Sequence, residues 1–162
     1  MAEQIITQEY LQSIFEYKDG ELFSKINYRK KYVGVKVGSI GNGYYSVQLN
    51  NKKYKIHRLI FLMFKGYLPE YIDHIDCNKL NNKIENLRET TKAQNSLNQK
   101  INIRNKSNYK NVSWDKFTKK WLVSLTVNKK SIKIGRFDDI ELADLVATEA
   151  RNKYFGKFAN HG

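Results

Sequence analysis

The stretch from Tyr71 to Arg88 constrains the fold most, because it is dense in polar side chains that a packed core excludes. It holds an Asp-His pair, a loop rich in asparagine, and then a short helical pattern that begins near Ile84. A polar group buried without a hydrogen-bond partner costs about 1–3 kcal/mol. We therefore expect this stretch to carry chemistry rather than to build a core.

Three side chains in and after this stretch suit a metal-assisted reaction. Asp73 offers a hard oxygen ligand for a divalent cation, and Asn95 offers a neutral carbonyl oxygen. His74 has the side chain whose pKa best suits proton transfer near neutral pH. The same residue types are also compatible with a metal-free polar loop that holds a hydrogen-bonded histidine.

The order and spacing of this stretch resemble the HNH nuclease motif of the ββα-metal group, in the variant found in phage and intron homing endonucleases. The matching pieces are Asp73-His74, Asn81-Asn82, Asn86-Leu87-Arg88, and Asn95 seven positions after Arg88. Cys77 stands where many relatives have glycine, and Asn95 replaces a histidine, as it does in several homing members.

The resemblance implies a metal-dependent DNA endonuclease with His74 as general base and Asn86 as a brace for the loop that carries it. It also implies that Asp73 and Asn95 hold one divalent cation, which is Mg²⁺ or alternatively Mn²⁺. No small-molecule cofactor is expected. Asn98, about one helical turn further on, is an alternative ligand to Asn95. Arg88 either holds a phosphate or pairs with a local acid.

Charge and composition point to a polyanionic partner. The 162 residues carry 29 Lys and Arg against 16 Asp and Glu, a net charge of +13. A membrane surface would require a basic amphipathic helix, and the sequence has none. With Cys77 as the single cysteine, no internal disulfide is expected. We expect a soluble, cytoplasmic protein that binds double-stranded DNA, in the host cytoplasm if it is phage-encoded, with a monomer favoured.

The first part of the chain predicts a helix, a small antiparallel sheet and a second helix. The helices are expected over residues 7–17 and 57–66, the second with Ile60, Phe61 and Phe64 on one face. Short alternating segments between them are separated by Asn and Gly turns, and their outward mixture of lysine and tyrosine fits either a phosphate backbone or a solvated charged face. Residues 84–98 are expected to be helical in two pieces, with Thr90 or Thr91 capping the second. His57 opens the second predicted helix as His-Arg-Leu, a start that homing relatives often share, and is assigned either to the structure or to the site.

The last third alternates apolar and polar residues in three segments, expected as strands over residues 110–114, 120–127 and 131–137. A helix over 138–154 follows, with an Asp138/Glu141 capping box and an apolar stripe. The members of that stripe are Ala143, Val146, Ala147, Ala150 and Tyr154.

This third resembles the Apetala/ethylene-response-factor type of DNA-binding domain, through Trp114-Asp115, Lys120-Trp121, Gly135-Arg136-Phe137 and the helix alanines. In that family the sheet enters the major groove, so the polar face of the sheet is expected to contact DNA. The basic linker either lies in a DNA groove or is a disordered tether. The DNA-contacting residues predicted for the whole chain are Arg88, Lys100, Arg104, Lys106, Asn111, Ser113, Lys120, Ser124, Thr126, Ser131 and Lys133.

The expected fold class is α+β: a small antiparallel sheet with a ββα-metal motif, then a three-stranded sheet packed on one helix. The expected domains are a nuclease domain at 1–98, a basic linker at 99–108 and a DNA-binding domain at 109–162. The expected function is sequence-targeted DNA cleavage. A DNA-binding regulator with an inactive nuclease domain and an RNA-binding module are the alternatives.

Overall fold

The computed structural model describes residues 6–27, 33–98, 101 and 105–161. The chain divides into two compact units, Met1–Thr90 and Thr91–Gly162. Within the described residues there are four α-helices and several small antiparallel sheets, which confirms the predicted mixture of helices and antiparallel sheets. None of these helices is long and apolar enough to cross a lipid bilayer.

The first unit combines two helices with three small sheets. Strands β1 and β2 form a hairpin, β3-β4-β5 form a meander, and β6 pairs with β7, all antiparallel. The elements are α1 (Gln8–Ile14), β1 (Phe15–Lys18), β2 (Glu21–Ser24), β3 (Ser39–Gly41), β4 (Tyr44–Leu49), β5 (Lys52–Lys55), α2 (Ile56–Lys65), β6 (Tyr71–His74) and β7 (Leu87–Thr90).

The hairpins close at the predicted turns, each with two residues in the left-handed region. Asp19-Gly20 joins β1 to β2, Asn42-Gly43 joins β3 to β4, and Asn50-Asn51 joins β4 to β5. Two successive positive φ angles match the right-handed twist of the flanking strands, which is why Asn, Asp and Gly occupy these positions.

Helix α2 fills the core of the first unit and ends as predicted. Leu59, Ile60 and Phe61 are buried against residues from α1 and the strands. Gly66 follows the helix with φ +76° and donates its amide to the carbonyl of Leu62. Phe64 was expected on the buried face but is half exposed, and the edge of Tyr17 packs against its ring.

Two of the predicted helices of the first part are shorter than expected, because strand pairing takes their residues. Helix α1 ends at Ile14, and the next four residues join β1 and pair with β2. The helix expected from Ile84 is only a 3₁₀ turn over Ile84–Asn86, after which β7 pairs with β6. The strand expected at residues 28–32 lies outside the described residues.

The second unit is a three-stranded antiparallel sheet with a helix packed on one face. The sheet order is β10-β9-β8, and α4 packs its buried alanines, among them Ala143 and Ala147, against Val112 and Val123. The small side chains let the helix backbone approach the sheet closely. The elements are α3 (Lys92–Leu97), β8 (Val112–Asp115), β9 (Lys120–Val127), β10 (Lys130–Phe137) and α4 (Ile140–Phe155).

Two details of α4 differ from the sequence-based prediction. Asp139 caps the helix by accepting the Leu142 amide, whereas Asp138 was the predicted cap. Tyr154 was expected in the buried stripe but is 42% exposed. The buried position is taken by Arg151, which donates to the carbonyl of Lys110 and to Thr148 Oγ1. An arginine can be buried here because its donors find internal acceptors.

Candidate functional site

The pairing of β6 with β7 places the Asp-His pair of the first unit. In this register Asp73 lies opposite Arg88 and His74 lies opposite Leu87. Neighbouring residues of a strand point to opposite faces. Asp73 and His74 are both buried, and the loop of residues 75–86 connects the two strands.

Asp73 makes an ion pair with Arg88 across the two strands. The Nε and Nη2 atoms of Arg88 lie 3.0 and 2.8 Å from Asp73 Oδ2. The side chains of Arg88 and Asp73 are only 16% and 8% exposed, so water screens this pair weakly. Of the two roles considered for Arg88, the structure shows pairing with a local acid.

His74 is held in a buried, neutral state. Its Nε2 lies 3.1 Å from Asn82 Oδ1, and Asn82 is itself buried. Burial lowers the pKa of His74 below its ordinary value of 6.5, although the hydrogen bond with Asn82 and nearby carboxylates oppose this. The imidazole is therefore uncharged near neutral pH, with one N–H remaining, and a general base must be in this uncharged form.

A hydrogen-bond network around Asn86 shapes the loop after His74. Asn86 Oδ1 accepts the Asp76 amide at 3.0 Å, while its Nδ2 donates to Asp76 Oδ1 and to the carbonyl of Asn81. Asn81 Nδ2 donates to the other oxygen of Asp76 at 2.7 Å. The loop that follows the histidine is thus fixed by side chains within the motif itself.

The loop also explains why Cys77 is an unusual residue at its position. Cys77 has φ +58°, in the left-handed region where glycine has no steric penalty. Its amide donates to the carbonyl of His74, which closes a tight turn directly after the histidine. The glycine of many relatives at this position therefore has a conformational reason.

Four further residues lie around His74 or the Tyr44 ring beside it, and of these only His57 was considered for the site from the sequence. The ring centroid of His57 lies 4.9 Å from that of His74, in an edge-to-face arrangement. Tyr44 packs against both rings, at 5.3 Å from His57 and 6.3 Å from His74. The Nζ atoms of Lys55 and Lys79 lie 3.9 and 5.1 Å from the centre of the Tyr44 ring. We call these four residues, Tyr44, Lys55, His57 and Lys79, the rim.

Within the rim, His57 is buried and Nδ1 has no hydrogen-bond partner among the described residues. Burial, then the charges of His74, Lys55 and Arg58, lowers its pKa to about 3. The His-Arg-Leu start of α2 was the one sequence signal for His57. For Lys55 the signal was the lysine and tyrosine mixture of the sheet, whereas Lys79 belonged to no periodic pattern.

The other predicted ligands lie in the second unit. Asn95 is an exposed residue of α3, a helix whose Thr91 and Gln94 form a capping box. The amide oxygen of Asn98 already accepts a hydrogen bond from Asn160, which makes Asn98 the poorer candidate of the two. No group of three or more His, Cys, Asp or Glu side chains in the described parts of the chain is arranged to hold a metal ion.

The predicted DNA-contacting residues of the last third mostly share one face of the sheet. The strand register pairs Ser113 with Leu122, Ser124 with Lys133 and Thr126 with Ser131, and paired residues point to the same side. Lys120 is on this face too, and its ammonium group pairs with Asp138. Asn111 is half-buried beside β8, and Lys106 is exposed. Lys100 and Arg104 lie outside the described residues.

Sequence alternation missed one cation on this face. Strict alternation places Arg136 on the apolar side, but β10 contains a bulge between Lys133 and Gly135. The bulge shifts the register, so that Arg136 lies opposite Leu122 and donates its Nε–H to Asp115 Oδ2 at 2.9 Å. The polar face therefore carries an arginine in addition to its lysines.

Comparison with known proteins identifies the segment built around this geometry. Residues 54–97 match the family model of the HNH endonuclease. This segment of the chain is an HNH endonuclease domain. This match covers the rim residues Lys55, His57 and Lys79 as well as the motif. The predicted identification as an HNH endonuclease is thereby confirmed.

Viral proteins are similar over longer stretches. Protein 3.8 of Escherichia phage T7 is 37% identical over 97 residues, which are 59% of this chain and 75% of that protein. The uncharacterized HNH endonuclease L560 of Acanthamoeba polyphaga mimivirus is 33% identical over 123 residues, which are 74% of this chain and 63% of the length of that protein. The HNH endonuclease L245 of the same virus is 39% identical over 85 residues, 25% of its length. No solved structure gives a significant match.

These comparisons do not extend to the finer predictions. The resemblance of residues 109–160 to the Apetala/ethylene-response-factor domain has no support from them. The assignment of a ββα-metal motif, a homing role and Mg²⁺ also stay predictions.

Proposed function

We propose that this HNH endonuclease hydrolyses DNA phosphodiester bonds with one divalent cation and with His74 as the general base. The observation that carries the proposal is the neutral, buried imidazole of His74, which directly follows Asp73 on β6 and lies close enough for the Asp73 carboxylate to act on its pKa. Two lysine ammonium groups lie over the neighbouring Tyr44 ring. A base for the attacking water, an oxygen ligand for a cation and positive charge for a phosphate are then all available from residues of the first unit.

His74 would accept a proton from the attacking water, a contribution of about 10²–10⁴-fold to the rate. The hydrogen bond to Asn82 fixes the orientation of the ring, and the Asn86 network fixes the loop. Asp73 supplies a hard oxygen donor that fits Mg²⁺ or Mn²⁺, and Asn95 stays the predicted second ligand. When bound, the cation relieves charge on the phosphate and stabilises the leaving 3′ oxygen.

Lys55 and Lys79 would hold the phosphate groups of the substrate. Both are exposed, and both lie against Tyr44 beside the His74 ring. Arg88 would then have two states, one paired with Asp73 and one paired with a phosphate once a cation takes Asp73. A guanidinium group suits both because it binds carboxylate and phosphate oxygens in the same bidentate geometry.

The sheet of the second unit would bind the target DNA. Its polar face, including Ser113, Ser124, Thr126 and Lys133, is the face that the Apetala/ethylene-response-factor resemblance predicts to enter the major groove. The second unit contains 15 basic and 6 acidic residues, which favours contact with a phosphate backbone. Lys100, Arg104 and Lys106 remain the predicted contacts of the linker. The viral relatives favour the cytoplasm of an infected host as its setting.

Nicking of supercoiled plasmid in Mg²⁺ tests the proposal. Conversion to open-circle or linear DNA is expected with the wild-type protein, and its rate should fall at least about 100-fold in His74→Ala. His161→Ala is the matched control, because His161 is an exposed histidine of the second unit. A wild-type protein that leaves the plasmid intact in Mg²⁺ and in Mn²⁺ would refute the proposal.

One observation favours the alternative, a DNA-binding regulator with an inactive nuclease domain. The buried pair of Arg88 with Asp73 Oδ2 competes with a cation for the same carboxylate. In that case the wild-type protein would bind duplex DNA with no cleavage in either metal. Arg88→Ala would then not restore cleavage, whereas a merely blocked site would regain measurable nicking.

A further inference from the structure

The turn between β8 and β9 exposes an aromatic side chain almost completely. Phe117 is 96% exposed, while the next most exposed large apolar residues of the described chain, Val33 and Leu145, reach 64% and 60%. An aromatic ring is a large apolar group, and its burial in a core or an interface contributes more free energy than that of most other side chains. Because single exposed apolar residues are common on protein surfaces, what indicates a partner at Phe117 is the turn that carries the ring and the charges beside it.

Hydrogen bonds fix the backbone of the turn that carries this ring. Asp115 Oδ1 accepts the amides of Phe117 at 3.0 Å and of Thr118 at 3.3 Å. The other carboxylate oxygen of Asp115 accepts the Nε–H of Arg136 from β10, so the turn is tied to two strands. Lys119 completes the turn with φ +53°. Phe117 therefore sits at the end of a preorganised hairpin.

The charges next to the ring are positive. Lys116 and Lys119 flank Phe117 and Thr118 and are both exposed. Asp115, the nearest carboxylate in the chain, is neutralised by Arg136 in an ion pair. A fully exposed aromatic ring between two ammonium groups complements a partner that is anionic outside and stacks apolar rings inside. Duplex DNA has this chemistry, whereas a second copy of this chain, with a net charge of +13, does not.

We propose that Phe117 is a wedge that enters between stacked base pairs of duplex DNA while Lys116 and Lys119 contact the phosphates on either side. Apolar side chains that enter base steps unstack them and bend the helix. The proposal rests on DNA being the substrate, as in the proposed function, and adds that the second unit deforms its target rather than only reading its grooves. The cost of deformation depends on the base step, so the wedge would favour easily unstacked steps.

Helix unwinding tests the wedge without knowledge of the target sequence. The full-length His74→Ala protein, which avoids nicking, is bound to closed circular plasmid, the DNA is relaxed with a topoisomerase, and the protein is removed. Wedge insertion unwinds the duplex, so the recovered plasmid should be negatively supercoiled. Adding Phe117→Ala should reduce the number of turns removed per bound protein at least about fivefold.

Two further variants test whether the unwinding depends specifically on an aromatic ring at position 117. Leu145→Ala, which removes another exposed apolar side chain of the second unit, should leave the unwinding unchanged. Phe117→Trp should preserve it, because tryptophan also stacks with bases. Thermal unfolding of each variant confirms that it is folded, which is expected because Phe117 makes no buried contact that its truncation would lose.

The outcomes separate the wedge from the proposed function. Equal unwinding with and without Phe117, no unwinding by a protein that binds the plasmid, or no binding at all each overturns the wedge. A Phe117→Ala protein that unwinds normally but changes from dimer to monomer in sedimentation assigns the ring to a second copy of the chain and also overturns it. Unwinding that depends on Phe117, in a wild-type protein that never nicks, supports the wedge and rejects the nuclease.

Discussion

His57 and His74 lie side by side, yet the motif assigns chemistry to only one of them. His74 has Asn82 as a hydrogen-bond partner, while His57 Nδ1 has none in the described structure. His57 nevertheless forms the wall against which the His74 ring packs. We interpret it as a positioning residue, kept neutral by burial and by the surrounding positive charges.

The stability of the first unit should fall in mild acid because of His57. Its folded-state pKa of about 3 lies far below the unfolded value of 6.5, so only the unfolded chain binds the proton between these values. The free energy of unfolding is therefore complete above about pH 6.5 and is expected to fall by about 1 kcal/mol per pH unit below it. Urea unfolding of His57→Leu from pH 7 to 4.5 should show a correspondingly smaller slope.

His161→Leu is the matched control for this experiment, because His161 is exposed. The change of slope in His57→Leu should exceed the change in this control. An unchanged slope in His57→Leu would show that the proton uptake belongs to other groups, with His74 the first to consider.

Cys77→Gly should stabilise the protein. A non-glycine residue in the left-handed region costs about 1–2 kcal/mol, so the substitution is expected to raise the free energy of unfolding by about 1 kcal/mol. Cys77→Ala removes the thiol without relieving φ and should not stabilise. Urea unfolding compares the three proteins, and equal effects of glycine and alanine would assign the change to the thiol instead.

Much of the candidate site follows from residue types and spacing, but its environment does not. Asp73, His74 and Asn86 belong to one short segment, so a local pattern contains them. Tyr44 comes from β4, and Lys55 and His57 come from the junction of β5 and α2. They meet His74 only because the chain folds back, and no spacing in the sequence encodes that approach.

Helix α4 is the element in which sequence and structure assign the start differently. Asp138 and Asp139 are adjacent carboxylates, and the sequence pattern alone allows either one to be the N-cap. The structure selects Asp139, whose Oδ1 accepts the Leu142 amide, while Asp138 pairs with Lys120. The direction in which the chain leaves β10 decides which carboxylate reaches the helix end.

Asp139→Ala should cost about 1 kcal/mol of stability through loss of the cap. Asp138→Ala is the matched control and should cost less than about 0.5 kcal/mol, because an exposed ion pair contributes little. Guanidinium unfolding followed by circular dichroism measures both. A larger cost for Asp138→Ala would restore the capping box predicted from the sequence.

Strand β7 shows the limit of local patterns at the level of whole elements. The sequence after Ile84 favours a helix, and the first turn of one does form. Hydrogen bonds to β6 then extend the next four residues, because each satisfies its backbone groups across the pair. The same long-range pairing, with a bulge, turns Arg136 to the polar face of the other sheet.

Across the entire chain, positive charge is present in both units but is denser in the second. The first unit has 14 basic and 10 acidic residues, against 15 and 6 in the second. A protein that binds DNA through one unit would release few counterions, while one that uses both would release more. The salt dependence of binding therefore reports how much of the chain contacts the duplex.

Lys79→Gln and Lys133→Gln should each lower the slope of log K against log salt by about 0.9, and the double variant by about 1.8. Lys79 lies in the rim of the first unit and Lys133 on the polar face of the second. Lys18→Gln is the control, because Lys18 already pairs with Glu16 in β1 and belongs to neither surface. Fluorescence anisotropy with a 30-bp duplex measures the slopes, and a change for only one lysine would confine binding to one unit.

By itself the amino-acid sequence determined the HNH segment, the acidic and basic residues of its motif, the hairpin turns, and the alternation of the last three strands. All of these depend on neighbours within a few positions, where backbone preference and side-chain period act directly. The tertiary structure alone decided which rings enclose His74, that Arg88 pairs with Asp73, and that a bulge adds Arg136 to the polar face. Those contacts join residues far apart in the chain. They stabilise the fold only after the strands have paired and water has been excluded from between the residues.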